Sequence, residues 1–154
     1  MQKFGFRLES VLNLKAQLES NAKNSLARAT IELENQKNYL KGLLDTKDNS
    51  INSLNEEVDE GIPVYRVRDY NSYFSLLKNK IIDQKENVNQ AQHDVDINRE
   101  NLIKAMQERK ILEKLKEKKY EEYLKEQNKS EQLIIDELNS FKFKDGSGEE
   151  NARD

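Results

Sequence analysis

The chain has 154 residues, 36% charged and 35% hydrophobic, and its net charge of -3 arises from 26 basic and 29 acidic residues. This composition argues against a compact globular core, and the mixed charges form no single-sign block that would neutralise a phosphate backbone. The chain contains no run of about 18 apolar residues, which is the length needed to span a membrane. Residues 1–7 lack the apolar core of a signal peptide, and cysteine is absent. We therefore expect a soluble, cytoplasmic protein.

The first tract of the chain repeats apolar residues at alternating spacings of three and four. This period makes a narrow helical stripe that is buried only against another helix. It predicts a first helix over about residues 6–58. The predicted stripe comprises Leu8, Val11, Leu18, Ala22, Leu26, Ala29, Leu33, Gln36, Leu40, Leu43, Lys47, Ile51, Leu54 and Val58.

A turn is predicted over about residues 59–68. It contains Gly61-Ile62-Pro63-Val64, which holds the only proline of the chain. Asp69 has the side chain of a helix N-cap, so the second helix is expected to begin there.

The second tract, about residues 69–141, keeps a strict four-three repeat. Its predicted stripe comprises Tyr70, Phe74, Leu77, Ile81, Gln84, Val88, Ala91, Val95, Asn98, Leu102, Ala105, Arg109 and Leu112. Globular helices seldom keep such a repeat over this length. Residues 142–154 have no periodicity and include Gly146-Ser147-Gly148, which predicts a disordered tail.

Two long helices with a short connector fold back antiparallel, so the predicted fold is an all-α coiled-coil hairpin over residues 1–141. If Val58 faces Tyr70, the position numbers of facing residues sum to about 128, and Leu33 faces Val95. The same sum places Phe6 opposite Glu122, and the second helix then outruns the first by about 19 residues, or about 28 Å. The overhang carries Leu124, Leu133, Ile134, Ile135, Leu138 and Phe141. These apolar residues predict that the end of the second helix binds a partner protein. The alternatives are that this end frays or self-associates.

No enzyme signature is present. His93 is the only histidine and lies off the stripe, so a surface position is expected rather than a metal site. A Gly-rich phosphate loop is missing, and a helical hairpin has no concave pocket that would shift a catalytic pKa. We expect no catalytic residues, no cofactor and no metal.

Two surface clusters remain as candidate contacts. The basic run 114–119 lies at the open end of the hairpin, where it is either an ordinary solvated face or a surface that attracts an acidic protein. An aromatic cluster at the turn end comprises Tyr65, Tyr70, Tyr73 and Phe74. Tyr73 lies beside the stripe and is a candidate exposed anchor.

Several short motifs stand in a characteristic order along the chain. They are Phe6-Arg7-Leu8-Glu9-Ser10-Val11-Leu12, then Ala22 with Leu26-Ala27-Arg28-Ala29, then Gly61-Ile62 with Tyr70, Tyr73, Leu77, Ile81 and Gln84, then Leu112-Glu113-Lys114-Leu115-Lys116-Glu117-Lys118, and Ile135-Asp136-Glu137. Together they resemble the FliJ family, the coiled-coil component of the bacterial flagellar protein-export apparatus. The resemblance covers nearly the whole chain before the tail.

The resemblance implies a non-enzymatic stalk, similar to the central stalk of rotary ATPases. Such a stalk binds the hexameric export ATPase and the membrane-embedded export gate, and it escorts export chaperones at the cytoplasmic face of the inner membrane. The ATPase-binding residues implied are Phe6, Arg7, Leu8, Lys116, Lys118, Lys119, Leu133, Ile134 and Asp136. The gate-binding residues implied are Tyr39, Leu43, Tyr73 and Leu77. Neither nucleic-acid binding nor membrane insertion is expected.

Other interaction proteins share this pattern. One alternative is a general or prefoldin-like export chaperone that holds unfolded clients between helix tips. Another is a stalk subunit of a rotary ATPase or of a virulence type III secretion system.

Overall fold

The structure, a computed structural model, describes residues 3–146 and the side chains of residues 3–144. It has two helices, α1 (Glu9–Glu60) and α2 (Val64–Gly146), and no strand within the described residues. The two helices pair in an antiparallel hairpin, and α2 is the longer. The predicted all-α fold class is confirmed. No helix in this part of the chain is both long and apolar enough to cross a membrane.

The connector between the helices is residues 61–63, so the predicted turn over 59–68 is too long. Gly61 has a positive φ of 87° and its N–H donates to the Val58 carbonyl at 3.1 Å, which ends α1 with a left-handed cap. Pro63 precedes the first residue of α2, and its carbonyl accepts from the Arg66 N–H at 3.0 Å. Asp69 therefore lies inside α2, and its predicted N-cap role is wrong. Proline fixes φ and has no N–H to satisfy, so the helix starts beside it.

The outer ends of the helices also differ from the predicted bounds. α1 begins at Glu9 rather than near residue 6, and the Glu9 N–H donates to the Phe6 carbonyl at 3.1 Å. α2 continues past Phe141 to Gly146, because no proline or glycine interrupts it earlier and Lys144 complements the helix dipole in the last turn. The predicted disordered tail is wrong for residues 142–146. Its remainder, 147–154, lies outside the described residues.

The described residues form two compact units: residues 3–15 with 108–146, and residues 16–107. The core of the second unit is a buried cluster of Leu33, Ala91 and Val95, against which Leu26, Ala29 and Val88 pack. Leu33 and Val95 therefore lie in one cluster, which Ala91 shares. Each helix buries one stripe against the other, as the heptad repeat requires.

The stripe of α2 lies where the sequence predicts it, but the stripe of α1 is displaced at both ends. Leu12 and Glu19 are buried, whereas Val11 and Leu18 are exposed. Towards the connector, Ser50 and Glu57 are half-buried, whereas Ile51 and Val58 are exposed. The reason is that α1 keeps its three-four repeat without a break, even where this places polar residues inside.

The register is lower than the predicted sum of 128. In the unit of residues 3–15 and 108–146, Lys15 pairs with Glu108 and Glu9 with Lys116, and these position numbers sum to 123 and 125. In the other unit, Leu33 and Ala91 sum to 124. Because the three-residue connector is centred on Ile62, the position numbers of facing residues should sum to twice 62, or 124. The shorter turn thus accounts for the difference.

A polar layer interrupts the core of residues 16–107. Gln84 is only 4% exposed, and its Nε2 donates to the Gln36 carbonyl at 3.0 Å and to Gln36 Oε1 at 2.7 Å. Asn87 Nδ2 donates to Gln84 Oε1 at 3.1 Å, so the buried amide has partners for both of its polar atoms. The predicted sum of about 128 would instead have placed Gln84 near Leu43 and Gln36 near Ala91. The observed pairing joins the two amides, which satisfies both.

Two glycine substitutions test the capped connector. Gly61→Ala should lower the free energy of unfolding by about 1 kcal/mol, because an L side chain is disfavoured at positive φ. Open space surrounds the added methyl, so strain alone acts. Gly42→Ala is the matched control inside α1, again in open space, and should raise stability by about 0.5–1 kcal/mol. Urea unfolding followed by circular dichroism measures both, and equal shifts of one sign would contradict the cap.

Candidate interaction surfaces

The unit of residues 3–15 and 108–146 anchors the N-terminal segment on α2 by aromatic contacts. The Phe4 ring lies 5.1 Å from the Tyr120 ring in an edge-on arrangement and 5.5 Å from Tyr123. Tyr120 and Tyr123 are themselves 6.3 Å apart. Such pairs contribute about 0.5–1.5 kcal/mol beyond the apolar area that they bury. The segment before α1 is therefore held against α2.

Phe6, Arg7 and Leu8, three of the predicted ATPase-binding residues, lie in this anchored segment. Phe6 and Leu8 are half-buried and Arg7 is exposed. All three line an open groove together with Leu115, Lys119, Glu122, Tyr123 and Glu126 of α2. The structure thus brings the N-terminal candidates beside one of the basic candidates.

The predicted basic contacts differ in how they are paired. Lys116 Nζ lies 2.7 Å from Glu9 of α1, and Lys119 Nζ lies 2.7 Å from Glu122 of its own helix. The Glu122 hydrogen bond raises the pKa of Lys119 above its ordinary value. None of the ion pairs among the described residues involves Lys118, which is exposed. Lys118 can meet an acidic partner without first breaking an ion pair.

Beyond Gln127, α2 has no covering layer. Every described side chain from 128 to 144 is exposed, and this stretch is about 25 Å long at the rise of an α-helix. Its large apolar residues are Leu133, Ile134, Ile135, Leu138, Phe141 and Phe143. Asp136 accepts a hydrogen bond from Gln132 at 3.0 Å. The predicted overhang is present, but it starts about five residues later than expected and continues farther.

The turn-side candidates lie in the unit of residues 16–107. Tyr39 and Tyr73 are exposed and Leu43 is half-buried. Leu77 is only 4% exposed, because it occupies a stripe position between the helices. It cannot touch a partner while the helices are paired. Gln84, which belongs to the same motif, is equally buried.

Sequence reasoning missed a polar network beside these tyrosines. Glu57 accepts from the Arg66 Nε at 3.1 Å and from the Tyr70 hydroxyl at 2.7 Å. The Arg66 and Tyr70 hydrogen bonds hold the pKa of Glu57 below its ordinary value, and the same carboxylate raises the pKa of Tyr70. The arginine also lies over the Tyr70 ring, 5.8 Å from its centre. The signal was the unbroken three-four repeat, which places Glu57 on the stripe.

Comparison with known protein families shows which family the chain belongs to. The family model described as Flagellar FliJ protein matches residues 3–148 of the chain. The chain belongs to the FliJ family. No curated protein matches it.

The fold of this FliJ-family protein is also found in a solved structure. A candidate YscO homologue from Chlamydia trachomatis has 22% sequence identity and a TM-score of 0.68. The alignment covers 96% of this chain and 100% of that one. At this identity the similarity shows the fold alone.

Family membership makes the protein a component of the flagellar type III export machinery. The FliJ family consists of non-enzymatic structural components, and it associates with other parts of the export apparatus. The surfaces described above are therefore candidate protein contacts.

Phe4→Ala tests the anchoring of the N-terminal segment. It removes two ring contacts and should lower the free energy of unfolding by about 1–3 kcal/mol. Amide hydrogen exchange of residues 5–8 should accelerate as well. Phe143→Ala is the control, because Phe143 is 86% exposed and should change neither quantity. Unchanged exchange in the Phe4 variant would mean that other contacts hold the segment.

Proposed function

We propose that this FliJ-family protein is a stalk that couples the hexameric export ATPase to the membrane-embedded export gate. It acts at the cytoplasmic face of the inner membrane and escorts export chaperones. The ATPase binds the unit that holds the N-terminal segment and the exposed end of α2. The gate binds the turn-side face around Tyr39 and Tyr73. The stalk carries no catalytic residues.

The exposed stretch 128–144 supports the ATPase contact most directly. A single helix in water gains nothing from large apolar side chains unless another surface covers them. Ile134, Leu138 and Phe141 follow one another at spacings of four and three, which is the period of a helix that packs on a partner. A concave ring surface would cover several sides of this helix at once, whereas a flat surface would cover one.

Charge supports the same assignment. Lys118 and Arg7 are exposed near the groove that Phe6 and Leu8 line. Exposed cations speed the approach of an acidic partner, while apolar residues supply most of the binding free energy. Lys116 and Lys119 contribute less to a partner, because each is already paired with a carboxylate.

The turn-side face supports the gate contact in a narrower form than the family motif implies. Tyr39 and Tyr73 present aromatic rings to solvent, and tyrosines of this kind are common anchors of protein interfaces. Leu43 is half-buried, so only part of its side chain would add to this contact. Leu77 acts beneath them as part of the helix packing.

Substitutions at the exposed end test the ATPase contact. Leu133→Asp with Ile134→Asp should weaken binding to the purified export ATPase by at least about tenfold, because a carboxylate would be desolvated in the interface. Ile111→Asp is the matched control on the paired part of α2, since Ile111 and Leu133 are 66% and 69% exposed. Biolayer interferometry measures binding, and circular dichroism checks helicity. Equal loss in both variants, or none, would overturn the assignment.

A tyrosine series tests the gate contact. Tyr39→Ala with Tyr73→Ala should weaken binding to the cytoplasmic domain of the export gate by at least about tenfold. Tyr65→Ala removes another exposed tyrosine near the connector and should leave binding unchanged. The ATPase affinity of both variants should match that of the wild type. A gate affinity that is insensitive to Tyr39 and Tyr73 would remove this face from the proposal.

A further inference from the structure

The burial pattern assigns a heptad position to each residue of the unit 16–107. The a positions of α1 are 19, 26, 33, 40, 47 and 54, all of them buried or half-buried except the exposed Lys47, and its d positions are 22, 29, 36, 43, 50 and 57. On α2, the a positions are 74, 81, 88, 95 and 102, and the d positions are 70, 77, 84, 91, 98 and 105. In an antiparallel pair, the e positions of both helices border one side of the seam and the g positions border the other. We name these sides the e edge and the g edge.

The two edges carry opposite charge. The e edge has five basic residues and no acidic one; the basic residues are Lys23, Lys37, Lys78, Lys85 and Arg99. The g edge has Glu32, Glu60 and Asp94 against two cations, Lys80 and Arg66, and Arg66 is already paired with Glu57. Since the whole chain has more acidic than basic residues, this separation is not a consequence of composition.

Most of the basic charges of the e edge do not stabilise the helix pair. Lys23 is the exception at the seam, since its ammonium lies 3.2 Å from the buried carboxylate of Glu19. Arg99 pairs with Asp96 of its own helix. The register places Lys37 across the seam from Lys85, and Lys23 across from Arg99; each pair of position numbers sums to 122. Like charges that face each other repel, whereas flanking positions of a coiled coil ordinarily hold opposite charges. None of the ion pairs in the described residues involves Lys37, Lys78 or Lys85. An incoming carboxylate would find these three lysines available.

Apolar residues lie between these lysines. Leu44, Ile51 and Val58 are exposed at successive e positions, so they form a line along α1 with a period of seven. Ile82 is exposed on α2, four residues after Lys78 and three before Lys85. A further helix whose apolar residues follow the same period could pack along this line.

We infer that the e edge, from Lys37 to Val58 on α1 and from Lys78 to Lys85 on α2, binds an amphipathic helix whose apolar stripe is flanked by Glu and Asp. The helix forms a third strand of the coiled coil and pairs its carboxylates with lysines that repel one another in its absence. The period of seven favours a helix over an anionic membrane surface, and the edge lacks the Trp and Tyr typical of interfacial binding. The inference is independent of the ATPase and gate contacts proposed above, which use other surfaces.

A synthetic helix tests the chemistry of this site. The probe is a fluorescent peptide of about four heptads with Leu at its core positions and Glu at its flanking positions. A second peptide has Lys in place of every Glu. The full chain should bind the acidic peptide at least about tenfold more tightly than the basic one by fluorescence anisotropy, and added salt should reduce the difference.

Charge reversal on the protein tests the location. The triple variant Lys37→Glu, Lys78→Glu, Lys85→Glu should reverse the preference and bind the basic peptide more tightly. Residues 37 and 85 would still repel each other in this variant, so its thermal unfolding midpoint should stay close to that of the wild type. Lys80→Glu reverses one charge on the g edge and should leave the preference for the acidic peptide unchanged.

Four outcomes would overturn the inference. They are equal affinity for the two peptides, an unchanged preference in the triple variant, and a loss in Lys80→Glu as large as that in Lys85→Glu alone. The fourth is a different occupant. Cosedimentation with phosphatidylglycerol vesicles that the triple variant abolishes would identify a membrane surface. A dimer in sedimentation velocity that the triple variant abolishes would identify the acidic edge of a second copy.

Discussion

A pair of helices can bury only the facing stripe of each, so every layer of its core depends on the register. In this protein three residues set the register at its origin, because Gly61 ends α1 and Pro63 begins α2. The position numbers of Leu33 and Ala91 consequently sum to 124, which matches an a position with a d position, as antiparallel helices require. Which residues face each other across the seam follows from this sum.

Buried polar residues specify a single register, whereas apolar residues would tolerate several registers. Leucine can slide past alanine or valine at a modest cost, but a buried amide that loses its partner pays the full penalty of desolvation. Gln84 donates hydrogen bonds to Gln36 across the seam. Glu57 accepts from Arg66 and Tyr70 beside the connector. These contacts penalise any shifted pairing. Apolar layers give the hairpin its stability, and the polar ones select one alignment.

The sequence predicts the fold class and the whole stripe of α2, because a strict heptad repeat has one interpretation. It misleads at the ends of α1, where apolar residues lie one position away from the true stripe: Val11 beside Leu12, Leu18 beside Glu19, and Val58 beside Glu57. Hydrophobicity alone selects the wrong neighbour there. Among the candidate contacts, the exposure of Tyr73 and the burial of Leu77 could both be anticipated, because the heptad repeat places Leu77 on the stripe and Tyr73 beside it. Only the family motif grouped Leu77 with the exposed contacts.

The short connector also orders how the hairpin closes. Contacts near it join residues close in sequence, as Glu57 and Tyr70 do, whereas Gln36 and Gln84 are 48 residues apart and Glu9 and Lys116 are 107 apart. The entropy cost of closing a loop grows with its length, so pairing starts at Gly61 and proceeds away from it. The N-terminal segment can dock only after nearly the whole chain has been synthesised. The last contacts to form during folding are then those of Phe4 with Tyr120 and Tyr123.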